Sequence, residues 1–289
     1  MYLFIKTSAS LLSINYMNLG FVTCVKLGLS CMEAIYKAGA SLKLVVTLPD
    51  NISKEKSGRV YVDEFCTKHN IQLHKSTNIN NLDVIENIYK NNIDWLFIVG
   101  WSQIASTNIL KSTNKGIIGM HPTLLPEGRG RASIPWAILK NLDKTGVTMF
   151  KMDPGVDTGP IMAQMEIPLT NKVSATKLYN QLVNAHSTII QSMISNILDD
   201  NICLTQQDET KATIWPGRKP EDGEINLKGS VYDAERLVRA VTHPYPGAFF
   251  YRDGKKQIVW SAEIFNEKDT KKDLNQSAHL KFDDGILLI

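Results

Sequence analysis

Short runs that are apolar at nearly every position alternate with longer segments of helical spacing along the first two-thirds of the chain, and few folds can accommodate that pattern. The runs lie at Asn18–Val25, Leu42–Leu48, Ile71–His74, Ile93–Val99, at Gly116, and near Val147 and Ile161. Segments with the spacing of amphipathic helices fall at Ser30–Lys37, Val60–His69, Leu82–Asn91, around Ile104–Lys111 and Ser133–Asn141. A strand such as LFIV, apolar at consecutive positions, is buried on both faces. Strands so buried pair in parallel and need helical crossovers to connect them. The pattern predicts an α/β fold: a Rossmann-like, mostly parallel sheet with helices on both faces. A long amphipathic helix follows, with Ser174 as its N-cap and Leu178, Leu182, His186, Ile189, Ile190, Met193 and Ile197 on one stripe. On that stripe His186 reads as a structural histidine.

After Asp199 the texture changes to a polar, turn-rich stretch containing PGRKPEDG, which reads as a loop. A short helix (Asp233 to Val241), the segment HPYPGAFFY, a hairpin through Arg252–Lys256 and a strand at Gln257–Ser261 come next, with strands at Ala278–Phe282 and Ile286–Ile289 closing the chain. We therefore expect a catalytic domain over residues 17–204 and a small β-rich C-terminal module over 205–289. Residues 1–16, which precede a second methionine (Met17) and a clean strand, read as a dispensable extension.

Composition narrows the function classes. With 289 residues, 43% hydrophobic and 21% charged, the chain has the make-up of an ordinary globular protein, and a net charge of +3 implies no polyanionic partner. Four cysteines (Cys24, Cys31, Cys66, Cys203) lack CxxC spacing and read as buried, reduced thiols of a cytoplasmic protein, without a metal site. The longest apolar runs are too short to span a bilayer. Phosphate-loop, dinucleotide-fingerprint, HExxH and GxSxG motifs are all absent, so ATP, nicotinamide and serine-hydrolase readings lack support.

Chemistry concentrates in two loops. His121 stands where the apolar run GIIGM breaks into a Pro/Gly-rich loop, and Asp157 arrives at a second glycine-flanked turn after VTMFKM. Strand ends of an α/β sheet are where a general base and its carboxylate come together. A lone histidine before Pro-Thr is a loop hydrogen-bonder; the flanking LLPEGRG and DTG reverse that reading. Arg129 and Arg131 of the GRGR loop offer forked donors to an anion, with a solvated basic loop as the plainer reading, more so for Arg129. Trp101 and Trp136 suit either a ligand cleft or the core. Arg218, Lys219, Arg236 and Arg239 suit either an anion rim or, more simply, a solvated face.

The segments HPTLLPEGRGRA, TGVTMFKMDPGVDTGPIMAQ and RAVTHPYPGAFFY, spread from about Met17 to Tyr251, resemble the folate-dependent formyltransferase (methionyl-tRNA formyltransferase) superfamily. The likeness is greatest to the branch that formylates nucleotide-linked amino sugars, such as the UDP-4-amino-4-deoxy-arabinose formyltransferase domain. The resemblance implies transfer of a formyl group from 10-formyltetrahydrofolate to a primary amine, with no metal, His121 as the catalytic acid/base and Asp157 as its partner. It also implies that Gln103, Ile104, Ala105, Arg131 and the turn Asp153, Pro154, Gly155, Val156 to Asp157 hold the folate. Such chemistry must deprotonate the amine, steady an oxyanion and protonate the leaving nitrogen, and one histidine can serve both proton transfers.

One departure stands out. The family places an asparagine two residues before the histidine, and this chain has Gly119. Loss of such a donor costs roughly a hundredfold in rate. A substitute (Ser102, Gln103, Thr123, Thr148 or water), a different acceptor geometry, or a non-catalytic binding relative are the three readings, and substitution is favoured because the other motifs persist. The acceptor expected is a nucleotide-linked amino sugar. Transfer to methionyl-tRNA ranks second, because residues 205–289 carry 13 Lys+Arg against 14 Asp+Glu and offer no electrostatic platform for RNA. Whether the C-terminal module builds a homodimer interface or part of the acceptor cleft is left open.

Overall fold

The computed structural model describes residues 17–289 except 53, 55 and 266–277. The expectation for residues 1–16 lies outside them. In chain order the first half runs β1 (Leu19–Val22), α1 (Lys26–Lys37), β2 (Leu42–Thr47), α2 (Asp63–Lys68), β3 (Gln72–Lys75), α3 (Leu82–Lys90), β4 (Trp95–Val99), α4 (Thr107–Leu110) and β5 (Gly116–His121). It continues through β6 (Arg129–Gly130), α5 (Ser133–Leu139), β7 (Lys144–Lys151), β8 (Ile161–Pro168) and α6 (Ala175–Leu198). One seven-stranded sheet has the order β3-β2-β1-β4-β5-β7-β8. Its first five strands are parallel, and β7 and β8 join antiparallel at the far side. The fold is the mostly parallel α/β sheet that the apolar runs predict.

Every residue of β1 and β4 is buried. Two hydrophobic clusters, one on each face, account for this: α1, α5 and α6 cover one face, and α3 and α4 cover the other. Fully burying a Leu, Ile or Val side chain contributes about 1.5–3 kcal/mol, so these strands anchor the fold. Ser174 caps α6 as expected, accepting from the Lys177 amide at 3.4 Å. Helix α1 begins at Lys26, before the expected Ser30, and runs through Gly28, where a Cβ would collide with the Thr23 side chain. Glycine is unfavourable in a helix, so its propensity hid this start; close packing requires it. Helix α4 spans only four residues.

The chain turns back at β1. Having laid β2 and β3 to one side, it returns to place β4 on the other. The crevice beyond the strand ends at such a reversal is where open α/β sheets bind ligands. The remainder comprises β9 (Ile214–Trp215), α7 (Val231–Val241), the hairpin β10 (Ala248–Arg252) with β11 (Lys255–Val259), and a small sheet of β12 (Glu263–Ile264), β13 (His279–Phe282) and β14 (Gly285–Leu288). Strand β9 pairs with β6, so the segment after α6 folds back over the loop that follows His121. PGRKPEDG contains a single 3-10 turn at Pro220–Gly223. Cys24, Cys31 and Cys66 are buried and free, but Cys203 is exposed, contrary to expectation, because it lies beyond the end of α6 where nothing covers it.

Candidate active site

His121 ends β5 and is buried, at 7% exposure. Its Nε2 lies 2.8 Å from the Gly128 carbonyl and 3.3 Å from the Ser133 hydroxyl. A carbonyl only accepts, so Nε2 carries a proton and donates it. Nδ1 faces the Asp157 carboxylate at 3.4 Å. Thus Gly128, rather than Asp157, selects the tautomer, and Asp157 attends the opposite nitrogen.

Asp157 sits between β7 and β8 with φ +55, in the left-handed region. A non-glycine residue there costs on the order of 1–2 kcal/mol. Three bonds hold its turn, two of them to Asp157 itself. The Gly130 amide donates to its carboxylate at 2.9 Å, and the Gln207 side-chain amide donates to the Asp157 carbonyl at 2.8 Å and the Gly159 carbonyl at 2.7 Å. Gln207 in turn accepts from Arg129 through Nε at 3.1 Å and Nη2 at 2.8 Å. Arg129 completes the chain by gripping both oxygens of Glu209 at 2.9 and 2.6 Å. That hydrogen-bonded partner holds the Glu209 carboxyl below the usual range. Arg129 is therefore neither a solvated loop residue nor an anion-binding one; it is buried and braces the aspartate loop. Gln207 escaped the sequence reading because it lies in a polar, turn-rich stretch 50 residues from Asp157 and belongs to no motif.

Two clefts converge on His121. The first, about 370 Å³, is walled by residues 100–105, 119–121, 130, 131, 150, 152, 153 and 155–157. It takes in every residue expected to hold folate except Pro154. The Gln103 side-chain amide is tied to protein groups: the oxygen accepts from Ile79 N at 2.9 Å and Trp101 Nε1 at 3.1 Å, and the nitrogen donates to the Thr77 carbonyl at 2.8 Å. Asp153 likewise turns inward, accepting from Gly155 N at 3.0 Å and Thr158 Oγ1 at 2.6 Å. Ile104 and Val156 are exposed at this cleft, 69% and 49%.

The second cleft, about 310 Å³, lies against α1, α5 and α6 and includes Lys56, Tyr179, His186 and Tyr245. It shares Trp101, Ser102, His121 and Arg131 with the first. Beyond it a further hollow of about 360 Å³ carries Lys56, Arg131, Arg218 and Lys219. Among the described residues no carboxylate lines either space. Trp101 therefore lines the clefts, whereas Trp136 does not: its Nε1 donates to the Pro216 carbonyl at 2.8 Å and its ring lies under Arg218. Arg236 pairs with Asp233, and Arg239 pairs with Glu235 and the Val173 carbonyl, so neither rims an anion site.

Of the four side chains that could stand in for the missing asparagine amide, the two threonines are occupied. Thr148 Oγ1 donates to the Thr123 carbonyl at 2.8 Å while accepting from Leu125 N and Gln164 Nε2. The Thr123 hydroxyl turns toward the Gly128 carbonyl at 3.5 Å. Gln103 spends one of its two amide N–H groups on the Thr77 carbonyl. Ser102, at the junction of the clefts, accepts from Lys56 Nζ at 3.4 Å with its own hydroxyl proton uncommitted.

Fold and site together define a doubly wound α/β protein in which two clefts meet at one histidine. The comparisons with known proteins are specific: residues 26–194 match the formyl transferase family and residues 218–289 match the formyl transferase C-terminal domain. The chain belongs to the formyl transferase family. It is 28% identical over 250 residues to the methionyl-tRNA formyltransferase of Lactobacillus johnsonii, covering 86% of this chain and 79% of that one. It is 32% identical over 249 residues to the bifunctional polymyxin resistance protein ArnA of Wigglesworthia glossinidia brevipalpis, covering 86% of this chain but 37% of that one. Among solved structures, an N-formyltransferase from Helicobacter canadensis in complex with folinic acid and dTDP-3-aminofucose shares the fold. Its TM-score is 0.69 at 17% identity, over 94% of this chain and 98% of that one. The methionyl-tRNA formyltransferase of Clostridium thermocellum gives 0.58 at 20% identity, over 94% and 97%. Among the described residues no helix is long and apolar enough to cross a membrane, and no group of side chains is arranged to hold a metal.

Proposed function

We propose that the protein transfers a formyl group from 10-formyltetrahydrofolate to the primary amine of a nucleotide-linked amino sugar. The observation that carries this reading is the position of His121 on the shared wall of two clefts, where a donor from one side and an acceptor from the other can reach the same side chain. The first cleft suits a flat folate ring system: apolar Ile104, Phe150, Met152 and Val156 flank it, and the backbone of residues 100–105 and 153–157 offers polar groups along its edge. When bound there, the folate supplies the electrophilic formyl carbon. Lys56, Arg131, Arg218 and Lys219, with no carboxylate among the described residues that line the second cleft and the hollow beyond it, suit the pyrophosphate of a sugar nucleotide.

Within this reading His121 takes the amine proton at Nδ1, the nitrogen left free by the Gly128 bond. Asp157 faces the cation that forms, and the same proton can return to the departing folate nitrogen. Ser102, steadied by Lys56, donates in place of the absent asparagine. The acceptor is set apart from methionyl-tRNA by the near-neutral C-terminal module, although the Lactobacillus johnsonii relative keeps tRNA as the second reading. The test is formyl transfer by purified protein with 10-formyltetrahydrofolate and dTDP-, UDP- and GDP-linked amino sugars, with charged initiator tRNA alongside. Turnover on an amino sugar, lost in His121→Ala, supports the reading; turnover on tRNA alone replaces it with the second; folate binding without any turnover rejects catalysis.

A further inference from the structure

Helix α6 turns two polar aromatic side chains into the second cleft, seven residues and so about two turns apart on one face. His186 is buried, at 1% exposure, and its Nδ1 donates to the Leu182 carbonyl at 2.7 Å. Burial pushes its pKa down to about 4, against the pull of that carbonyl and with a smaller contribution from nearby His121. The ring is therefore neutral, and Nε2, which bonds no protein group among the described residues, is an acceptor only. Tyr179 is 9% exposed, and its buried hydroxyl has no hydrogen-bond partner among the described residues. The Leu27 amide stands near it, outside hydrogen-bond geometry. Gly58, with φ +73, comes so close that a Cβ there would lie 2.4 Å from the phenol oxygen.

A buried hydroxyl without a partner costs about 1–3 kcal/mol, and nothing in the core calls for this one. What it and His186 have in common is the cleft. The cleft wall thus offers an acceptor at His186 and, about two turns along the same helix, a phenol that can donate or accept. Phosphate and carboxylate cannot donate to His186. A hydroxyl can, and it also pairs with a phenol in either direction; a sugar ring carries several.

We propose that Tyr179 and His186 are specificity-determining residues that read ring hydroxyls of the acceptor sugar, Tyr179 donating to one and His186 Nε2 accepting from one. The inference rests on the amino-sugar reading above and adds where the sugar ring lies and what recognises it.

The experiment uses whichever of dTDP-3-aminofucose and UDP-4-amino-4-deoxy-arabinose the wild type formylates, together with analogues each lacking one ring hydroxyl. Tyr179→Phe and His186→Leu are each expected to raise KM for the acceptor about tenfold, the worth of one hydrogen bond. The kcat should stay within about twofold and folate affinity should not change. The analogue missing the hydroxyl that Tyr179 reads should give the wild type and Tyr179→Phe equal KM values. Because Tyr179→Phe removes an unpartnered buried group, its melting temperature should hold or rise, whereas a merely structural hydroxyl predicts a fall. In histidine-labelled protein the Nε2 resonance of His186 should move on adding acceptor and not on adding folate. Wild-type KM in both variants, or a KM rise in Tyr179→Phe that persists unchanged with every deoxy analogue, overturns the proposal while leaving formyl transfer intact. Absence of wild-type transfer to any amino sugar rejects the parent reading, and this one with it.

Discussion

Phe150 occupies the space into which a side chain on Gly119 would grow: a Cβ at Gly119 would lie 2.7 Å from both Cε1 and Cζ of the Phe150 ring. The two residues face each other directly across β5 and β7. The asparagine of the family pattern is thus replaced by a glycine and an aromatic ring that together leave no room for it. Gly119→Asn is accordingly expected to destabilise the protein by about 1–3 kcal/mol through overpacking, without raising kcat. In a double-mutant cycle with Phe150→Ala, the two substitutions together should cost less than the sum of their separate costs. Thermal denaturation beside a formyl-transfer assay checks both.

If Ser102 serves as the substitute donor, Ser102→Ala should lower kcat roughly tenfold to a hundredfold with little change in either KM. Lys56→Met, which removes the Ser102 Oγ partner and one cleft cation, should lower kcat and also raise KM for the nucleotide acceptor. Steady-state kinetics in both substrates separates the two effects.

Replacing Gln207 tests the brace behind Asp157. Gln207→Ala deletes two bonds to the loop carbonyls and an acceptor for Arg129. Relaxation of Asp157 from its left-handed conformation should cut kcat about tenfold or more, since small misplacements of a catalytic group are costly. Folate binding should survive. His121→Ala and Asp157→Asn, which remove the pair itself, should fall further, by about a hundredfold or more.

Acid should weaken the fold through His186. Its folded pKa of about 4 lies below the ordinary value of 6.5, so the unfolded chain binds the proton first as pH drops. The stability linked to this group is complete above pH 6.5 and is lost as pH falls toward 4. The loss reaches roughly 3 kcal/mol by that point. His186→Leu should show a flatter melting-temperature profile than the wild type between those limits.

Strand positions were legible because burial on both faces forces apolar residues at consecutive positions, and β4 (WLFIV) declares itself on that ground alone. That His121 and Asp157 would meet was legible from two loops that follow strands, and the structure brings them within 3.4 Å; the roles proposed for them come from the resemblance. Helix α1 was misjudged at its start because Gly28 answers to the Thr23 side chain rather than to helix propensity. The Arg129–Gln207–Asp157 chain was invisible because each of its links joins residues 50 or more apart. Nothing local distinguishes Arg129, buried in an ion pair, from Arg131, exposed between clefts. The two differ only in which way a two-residue strand turns them.

That short strand has a consequence for how such chains can be recombined. Because β6 is completed by β9 and Asp157 is steadied by Gln207, the posture of the aspartate is written partly in residues 205–215. A chimera that joins this N-terminal portion to a relative's C-terminal part just after α6 would separate the acid from its splint. A seam placed beyond Trp215 would keep His121, Asp157 and its splint together, while Arg218, Lys219 and Tyr245, which line the second cleft and the hollow beyond it, would come from the relative.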